Sequence, residues 1–354
     1  MIQILYLLIL SMCLSFPVYA NDEKLSFLFE DASSEAEKKE EDDNKEGGIF
    51  SFLNFSSKQK ENEQVKKEKG LETTRNLADA GDVKAQLFMG YSYLYGQNNL
   101  PVDYQKAFDY YVKAAIQNNP IALNNLGSLY YSGIGVSRDS NKARVLFTKA
   151  ASLGNAEAAV NLGFILISGN GASKNPALAI DYFEQASSGN NPAAQFMLGY
   201  AYYTGKLRPQ DYKKAAPLIK KSADAGFDEA QYILAKMYIN GHGFPQNYGL
   251  AVNNLQKAVA QGRVDAMMLL GDILADGKKY AKDEYYAHIL FNLAAVKNVP
   301  GAAERRTFLE SKLKIDVVLQ AQETANKYTP NLSELSSYVR NTFGDEIRNY
   351  IDAI

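Results

Sequence analysis

The chain repeats itself at a fixed interval, and no other feature of its sequence constrains the fold as strongly. A glycine that follows an apolar residue recurs at an interval of 37 residues once and 36 thereafter, with alanine in its place in one unit. The members of this landmark column are Gly90, Gly127, Gly163, Gly199, Ala235 and Gly271. An alanine lies five residues before each landmark, and a second glycine lies six residues after it. Self-similarity of this length is typical of stacked repeats, so we predict six structural units.

Each unit has the pattern of two helices joined by a tight turn. The small residues of its first half lie near one helical face, where they let a neighbouring helix approach closely. The second glycine column begins at Gly96 and Gly133, where the first helix has to end and reverse. The second half carries alanines seven residues apart, such as Ala143 and Ala150, together with bulky residues such as Phe147. We therefore predict a helix A followed by a helix B in every unit.

One unit shows the complete pattern. Residues 122–135 read ALNNLGSLYYSGIG, and residues 139–151 read DSNKARVLFTKAA. This pattern resembles the Sel1-like repeat, a relative of the tetratricopeptide repeat, and the resemblance covers roughly residues 71–295. It implies an all-α fold, an α-α superhelix (solenoid) of about six helix-pair repeats with capping helices at its amino and carboxyl ends.

The segment before the repeats differs from them in composition. The first 20 residues are mostly apolar and end in Val18-Tyr19-Ala20, so we predict a signal peptide that is cleaved after Ala20. An uncleaved amino-terminal anchor is the alternative. Residues 21–70 are dense in charge and predict a disordered linker. Within it, an apolar motif at residues 49–55 is either inert, a patch that lies on the repeats, or a docking motif for a partner.

The repeats are predicted to span residues 71–299, and the segment after them has the pattern of a cap. Residues 300–329 form one long helical pattern with a charged outer face, which predicts a capping helix for the last repeat. Pro330 interrupts this pattern, and residues 330–354 predict an amphipathic helical tail. This tail either packs on the final repeat or forms a surface for dimerisation or for a partner.

Composition leaves little material for catalysis. The chain has two histidines and one cysteine, and no G-x-S-x-G arrangement is present. We predict that it is not an enzyme and that it uses no cofactor and no metal. A net charge of −2 gives no field that would favour nucleic acid as a partner. Since Cys13 lies in the predicted signal peptide, the stacking of helices rather than disulfides has to stabilise the mature chain.

The resemblance implies that helix A of each repeat lines a concave groove in which a partner binds. The candidate contacts are the residue after each landmark and its neighbours on helix A: Phe88, Tyr91, Asn124, Asn125, Ser128, Tyr131, Asn161, Phe164, Phe196, Tyr200, Tyr203, Tyr232, Lys236 and Asp272. Amides can hold the backbone of an extended peptide, and tyrosine offers a large contact area at a low cost in entropy. Packing between adjacent helices is the alternative for the aromatic residues. Asp265, Asp272 and Asp276 predict an acidic end of this groove.

These observations predict a non-catalytic protein–protein interaction scaffold or adaptor of the bacterial cell envelope. It would be periplasmic or secreted, would hold a peptide or protein segment, and would have no stable transmembrane segment after signal cleavage. A secreted factor that acts in host-cell contact or entry is one alternative. A hydrolase of β-lactams or of peptidoglycan fragments, which the resemblance to cysteine-rich relatives raises, is another, and the absence of disulfides argues against it.

Overall fold

Helices account for most of the described chain. The computed structural model describes residues 69–333 and 336–337, and within these ranges it contains no β-strand. Residues 69–79 are helical. The helices that follow are α1 Val83–Tyr95, α2 Tyr104–Ile116, α3 Pro120–Ser132, α4 Ser140–Ser152, α5 Ala156–Ser168, α6 Pro176–Ser188, α7 Pro192–Thr204, α8 Tyr212–Asp224, α9 Asp228–Asn240, α10 Tyr248–Ala260, α11 Val264–Asp276, α12 Glu284–Val296, α13 Ala302–Glu310 and α14 Ile315–Asn326. The predicted all-α fold of six helix pairs is confirmed, with helices A and B alternating from α1 to α12.

The chain divides into two compact units, the first ending at Ala158 and the second beginning at Ala159. In the first unit, α1 packs on α2, α2 on α3, and α3 on α4. In the second unit, every helix from α6 to α11 packs on the helix that follows it. The alanine columns lie at these contacts, since Ala122 and Ala143 in the first unit and Ala194 in the second are fully buried. Small side chains at these positions let the helices approach closely.

The landmark glycines make room for a bulky side chain of helix B in the same pair. A Cβ atom on Gly127 would lie 2.7 Å from Cε1 of Phe147, which is too close for two carbon atoms. The same relation holds between Gly90 and Tyr111, between Gly163 and Phe183, and between Gly271 and Phe291. In the fifth pair the landmark is Ala235, and the corresponding residue of helix B is Leu255. The landmark is therefore glycine in every pair whose helix B carries a ring at this position.

A further glycine in some A–B turns lies at the contact between consecutive pairs. In the turn after α3, a Cβ atom on Gly135 would lie 2.7 Å from the backbone oxygen of Tyr104 at the start of α2. In the turn after α9, a Cβ atom on Gly243 would overlap the backbone oxygen of Tyr212 at the start of α8. A side chain at either position would push the turn away from the preceding pair.

Side chains cap the amino ends of the first four A helices. The acceptors are Asp82 for Ala85 N, Asn119 for Ala122 N, Asn155 for Ala158 N and Asn191 for Ala194 N. In α9 and α11 the same position is taken by Phe227 and Arg263, whose side chains make no capping hydrogen bond. The first turns of these two helices therefore need other partners for their backbone N–H groups.

Two helices, rather than one, follow the last pair, so the prediction of a single capping helix over residues 300–329 is wrong. The chain leaves the helical conformation after α13 and is extended at Lys314, with φ −67° and ψ 149°. Both α13 and α14 pack on α12, which has 13 residues. An unbroken helix over this segment would be about 40 Å long, roughly twice the length of α12. The break lets both halves bury apolar side chains against the same helix.

After α14 the chain turns back along the loops that join B helices to A helices. The Tyr328 hydroxyl donates a hydrogen bond to the backbone oxygen of Val259, and Asn331 N donates to the backbone oxygen of Ala260 at 2.9 Å. Residues 329–333 are not helical, so the predicted helical tail does not begin at Pro330. We call residues 328–333 together with Ser336 the return segment.

The return segment supplies the cap that Phe227 lacks. Ser336 Oγ accepts a hydrogen bond from the backbone N–H of Asp228, the first residue of α9, at 3.0 Å. Ser333 Oγ donates to the backbone oxygen of Gly226 at 2.7 Å. The described contacts of the return segment are thus with the fifth pair and the loops beside it, whereas one prediction placed the tail on the final repeat. The predicted signal peptide, nearly all of the predicted linker with its motif at residues 49–55, and the chain beyond residue 337 lie outside the described residues.

Candidate protein-binding face

The predicted groove residues divide by burial into two groups. The buried group consists of Phe88, Asn124, Asn125, Ser128, Asn161, Phe164, Phe196 and Tyr200. The partly buried or exposed group consists of Tyr91, Tyr131, Tyr203, Tyr232, Lys236 and Asp272. Only the second group offers side-chain surface to a partner.

The buried group is core, which corrects the prediction that these side chains face a ligand. Phe196 has no exposed surface and lies edge-on to Phe227, with ring centroids 5.0 Å apart. Phe164 packs edge-on to Phe183 at 5.4 Å. Phe164, which follows the landmark Gly163, therefore packs on a bulky neighbour rather than pointing outward. The aromatic side chains remove much apolar area from water in this way.

The buried asparagine and serine residues of α3 serve the fold as well. Burial raises the pKa of Tyr111 strongly, and the Asn125 amide forms a hydrogen bond with its phenol. Ser128 Oγ donates to the backbone oxygen of Asn124 at 3.1 Å. Because Asn124, Asn125 and Ser128 are buried, they offer little surface to the backbone of a peptide, which corrects their prediction as contacts.

In the second unit, a ring cluster forms around Tyr203 of α7. Its ring lies 6.3 Å from that of Tyr200 and 5.7 Å from that of Tyr212. Tyr212 in turn stacks on His242, with ring centroids 4.1 Å apart and an angle of 7° between the planes. Gln210 Nε2 fixes this arrangement by donating to the Tyr212 hydroxyl and to the backbone oxygen of Tyr203, each at 3.0 Å. Tyr203, Tyr212 and His242 are all partly buried.

Sequence reasoning did not include Tyr212 and His242 among the candidate contacts. Tyr212 begins a helix B, whereas the prediction was restricted to helix A. His242 lies between Gly241 and Gly243 in the turn after α9, outside helix A. The close approach of Gly243 to the backbone of Tyr212 brings the two rings together. The sequence did contain a signal for this contact, because His242 has a glycine on each side in the turn between the two helices of the fifth pair.

A charged cluster surrounds Tyr232 of α9. The guanidinium of Arg263 lies over its ring at 5.0 Å, and Lys236 Nζ lies over it at 5.5 Å. Arg263 donates to both carboxylate oxygens of Glu229, one of them at 2.6 Å. Burial raises the pKa of Glu229, and the guanidinium beside it opposes that rise. Burial is also the main cause that raises the pKa of Tyr232.

The predicted acidic end of the groove is neutralised. Asp265 pairs with Arg263 at 3.0 Å, and Asp276 pairs with Lys278 at 2.8 Å. Asp272, the exposed member of the predicted contacts, pairs with Arg305 of α13 at 2.7 Å. The prediction of an acidic surface is therefore wrong, because each of the three carboxylates has a cationic partner nearby.

Within residues 69–333 and 336–337, no group of three or more His, Cys, Asp or Glu side chains is arranged to hold a metal ion. The fully buried His288 of α12 pairs with Glu310 of α13 at 3.2 Å. This pair joins α13 to the last repeat. Over the same part of the chain, no helix combines the length and the apolar character that crossing a membrane requires.

Helix pairs of this length, with small residues at their contacts and glycines in their turns, define a class of α-helical repeat proteins. The model of the Sel1 repeat matches six consecutive segments of this chain, at residues 83–119, 120–155, 156–191, 192–227, 228–262 and 264–297. The chain therefore belongs to the Sel1 repeat family. Search among curated proteins gives no match.

Solved structures agree with this family. One is c5321 from Escherichia coli, described as a protective antigen present in uropathogenic strains that displays an SLR fold. It has a TM-score of 0.54 and 23% identity, over 80% of this chain and 67% of that one. The other is a Sel1 repeat protein from Oxalobacter formigenes, with a TM-score of 0.52 and 27% identity over 60% of this chain and 85% of that one. Both similarities are to the repeat fold.

Proposed function

We propose that this chain is a non-catalytic scaffold that binds an extended protein segment on the partly buried tyrosines of its second unit. The observation that carries the proposal is the ring cluster of Tyr203, Tyr212 and His242, in which Tyr212 stacks on His242. Its rings are held by their neighbours before any partner arrives, while part of their surface stays accessible. A partner would gain aromatic contact without having to order these side chains.

The cluster around Tyr232 extends this surface with positive charge. The neighbouring phenol of Tyr203 is one of the causes that raises the pKa of Tyr232, so the two clusters lie near each other. Among the described residues, Lys236 makes no ion pair, although it lies over the Tyr232 ring. We expect the bound segment to place apolar or aromatic residues on the stacked rings and a carboxylate near Lys236.

We also propose that the chain works in the bacterial cell envelope, either in the periplasm or after secretion. The support is the apolar amino-terminal sequence ending in Val18-Tyr19-Ala20. Sequencing the amino terminus of the protein recovered from cells tests this part. A mature chain that begins at Asn21 is the expected result, and a chain that begins at Met1 would contradict it.

A photo-crosslinking amino acid tests the binding face without removing a packed side chain outright. We would place it at position 203 or 232 of the full chain in living cells. The matched control is position 202, because Tyr202 is also partly buried but lies under Lys214 of helix B. We expect the same partner to be captured from positions 203 and 232 and not from position 202.

Equal capture from all three positions would contradict the proposed face. If a partner is captured as expected, its affinity for the purified chain should fall about tenfold with Lys236→Glu, which reverses the charge beside Tyr232. An unchanged affinity would remove Lys236 from the site.

A further inference from the structure

In the second unit, loops that join a helix B to the next helix A bind the return segment through hydrogen bonds. Gln261, in the loop after α10, donates from Nε2 to the backbone oxygen of Gly226 at 2.9 Å and to Oε1 of Gln231 at 3.0 Å. These two bonds hold the amide so that its Oε1 accepts a hydrogen bond from Ser333 N at 2.9 Å. A Cβ atom on Gly226 would lie 3.2 Å from Cβ of Ser333, so the segment packs directly on this loop.

The first unit contains the same arrangement at the same repeat positions. Gln117, in the loop after α2, donates from Nε2 to the backbone oxygen of Gly81 and to Oε1 of Gln86, each at 3.0 Å. Within the described ranges, no donor reaches Oε1 of Gln117, and nothing lies within 4 Å of a Cβ atom on Gly81. The acceptor that holds Ser333 in the second unit is therefore present here and uncovered by any described residue.

Exposed apolar side chains occur at the loops between B and A helices of the first unit. Ile116 is 75% exposed, Leu153 is 46% exposed and Ile121 is 43% exposed. All three belong to the two loops that join B helices to A helices in the first unit or to the helix ends beside them. Exposed apolar side chains next to a fixed amide and a bare glycine fit an extended segment that carries both apolar and hydroxyl residues.

We propose that Asn54-Phe55-Ser56 of this same chain binds here. The triplet repeats the chemistry of Asn331-Leu332-Ser333, which occupies the equivalent place in the second unit: an asparagine, a bulky apolar residue and a serine. In the second unit, Gln261 Oε1 accepts from Ser333 N and the backbone oxygen of Gly226 accepts from Ser333 Oγ. Gln117 Oε1 and the backbone oxygen of Gly81 are the corresponding acceptors that the first unit offers to Ser56. Exposed Ile116 is the apolar surface that the first unit offers to the apolar residues of Ile49–Phe55.

The length of the chain permits this contact. Helical residues 69–79 lead directly into Gly81 and extend for about 16 Å. The 12 residues from 57 to 68 can span up to about 40 Å when extended. Residue 56 can therefore reach back past the helix to the loop that contains Gly81. The return segment, which carries the other such triplet, already contacts the second unit and is therefore not the segment that we propose for this site.

Thiol labelling tests the proposal in the full chain. Cys13, the only cysteine, is replaced by Cys13→Ser, and a reporter thiol is introduced by Ile116→Cys. The matched control is Val296→Cys, because Val296 stands at the position of Ile116 in the last pair and is 72% exposed. We expect deletion of residues 49–56 to accelerate maleimide labelling at position 116 at least about fivefold, with no change at position 296.

A point substitution removes the proposed contact at Gln117 while residues 49–56 remain in the chain. Gln117→Ala should accelerate labelling at position 116 as much as the deletion does, whereas Gln261→Ala, the same change in the second unit, should not. Equal labelling rates at position 116 with and without residues 49–56 would overturn the proposal. Protection that disappears on dilution would assign the site to a second copy and overturn the intramolecular contact. Neither result bears on crosslinking at position 203, which tests the proposed function separately.

Discussion

The A helices of the first four pairs and those of the last two begin in different ways, although all six share one repeat pattern. In the first four, an Asp or Asn side chain at the residue before the helix accepts a hydrogen bond from its first turn, so each helix carries its own cap. In the last two, Phe227 and Arg263 stand at that position. Phe227 is buried against Phe196, and Arg263 pairs with Glu229 of the preceding A helix.

This difference shows that a repeat can lose the side-chain cap of its own helix and be stabilised instead by residues from distant parts of the chain. The start of α9 depends on Ser336, which is 108 residues away along the chain. It also depends on Arg263, 34 residues after Glu229. The first pairs should therefore tolerate changes elsewhere, while the fifth pair should respond to changes at distant sites.

The largest expected effect comes from Arg263→Ala. The substitution leaves Glu229 and Asp228 buried without their cationic partner, so we expect a loss of about 3–5 kcal/mol in the free energy of unfolding. Because burial raises the pKa of Glu229, the folded state takes up this proton at a higher pH than the unfolded chain does. The loss should therefore shrink as the pH falls from neutral towards about 4.3, the value of an unperturbed Glu.

Denaturant unfolding at several pH values measures this loss. Asp265→Ala is the control, because Asp265 pairs with the same guanidinium but is mostly exposed. It should cost less than about 1 kcal/mol. A loss for Arg263→Ala that does not change with pH would show that Glu229 is not the group left without a partner.

Removal of residues 328–354 should have the next largest effect, about 2–4 kcal/mol. This range combines one helix cap, worth about 1 kcal/mol, with several hydrogen bonds of about 0.5–1.5 kcal/mol each. Hydrogen exchange followed by mass spectrometry should show faster exchange at the start of α9 and no change in α1 to α4. The double substitution Ser333→Ala and Ser336→Ala should reproduce the pattern at smaller amplitude. Uniformly faster exchange in both units would argue against a local role of the return segment.

A cap in the first unit should matter less. Asn119→Ala removes the acceptor for Ala122 N and should cost about 1 kcal/mol, with faster exchange confined to the first turn of α3. Asn119→Asp keeps the acceptor and should be nearly neutral. If Asn119→Ala cost as much as Arg263→Ala, the proposed difference between the two groups of helices would be wrong.

The smallest effect should come from Arg305→Ala. Arg305 and Asp272 form an ion pair in which both side chains are more than 40% exposed, so water and salt screen it. We expect a change below about 1 kcal/mol in thermal or denaturant unfolding. A larger loss would mean that Arg305 holds α13 against α11 more firmly than its exposure indicates.

The repeat made most of the fold predictable, because a helix pair with small residues at fixed positions can pack in few ways. The landmark glycines, the buried alanines and the turn glycines all occur where the pattern places them. We predicted one capping helix where the structure has two. The break before Ile315 lets both helices pack on α12, and the sequence around Ile315 gives no information about the length of α12. The non-helical return segment was missed for a similar reason: its partners are the loops at Gly226 and Ala260, far from it in the sequence.

The binding face was harder to derive than the fold. Helical spacing places Tyr200 and Tyr203 near one face of α7. Spacing does not reveal that Tyr200 stacks on Phe196 and is buried, while Tyr203 stays partly accessible. The acidic residues were misinterpreted because their partners come from other positions: Arg305 lies on a helix beyond the repeats. Burial and charge pairing depend on which side chains meet in three dimensions.

The pairing of each landmark glycine with a bulky side chain of its own repeat bears on how such a chain can grow. Gly127 and Phe147 lie in the same pair, as do Gly271 and Phe291. Duplication of one repeat therefore copies both the glycine and the ring that packs against it. A new repeat inserted at a loop would arrive with its internal fit intact and would have to match its neighbours only at their shared contacts. Recombination can therefore change the number of repeats with little loss of packing. A single substitution of the ring, by contrast, disturbs its fit against the landmark glycine of the same repeat.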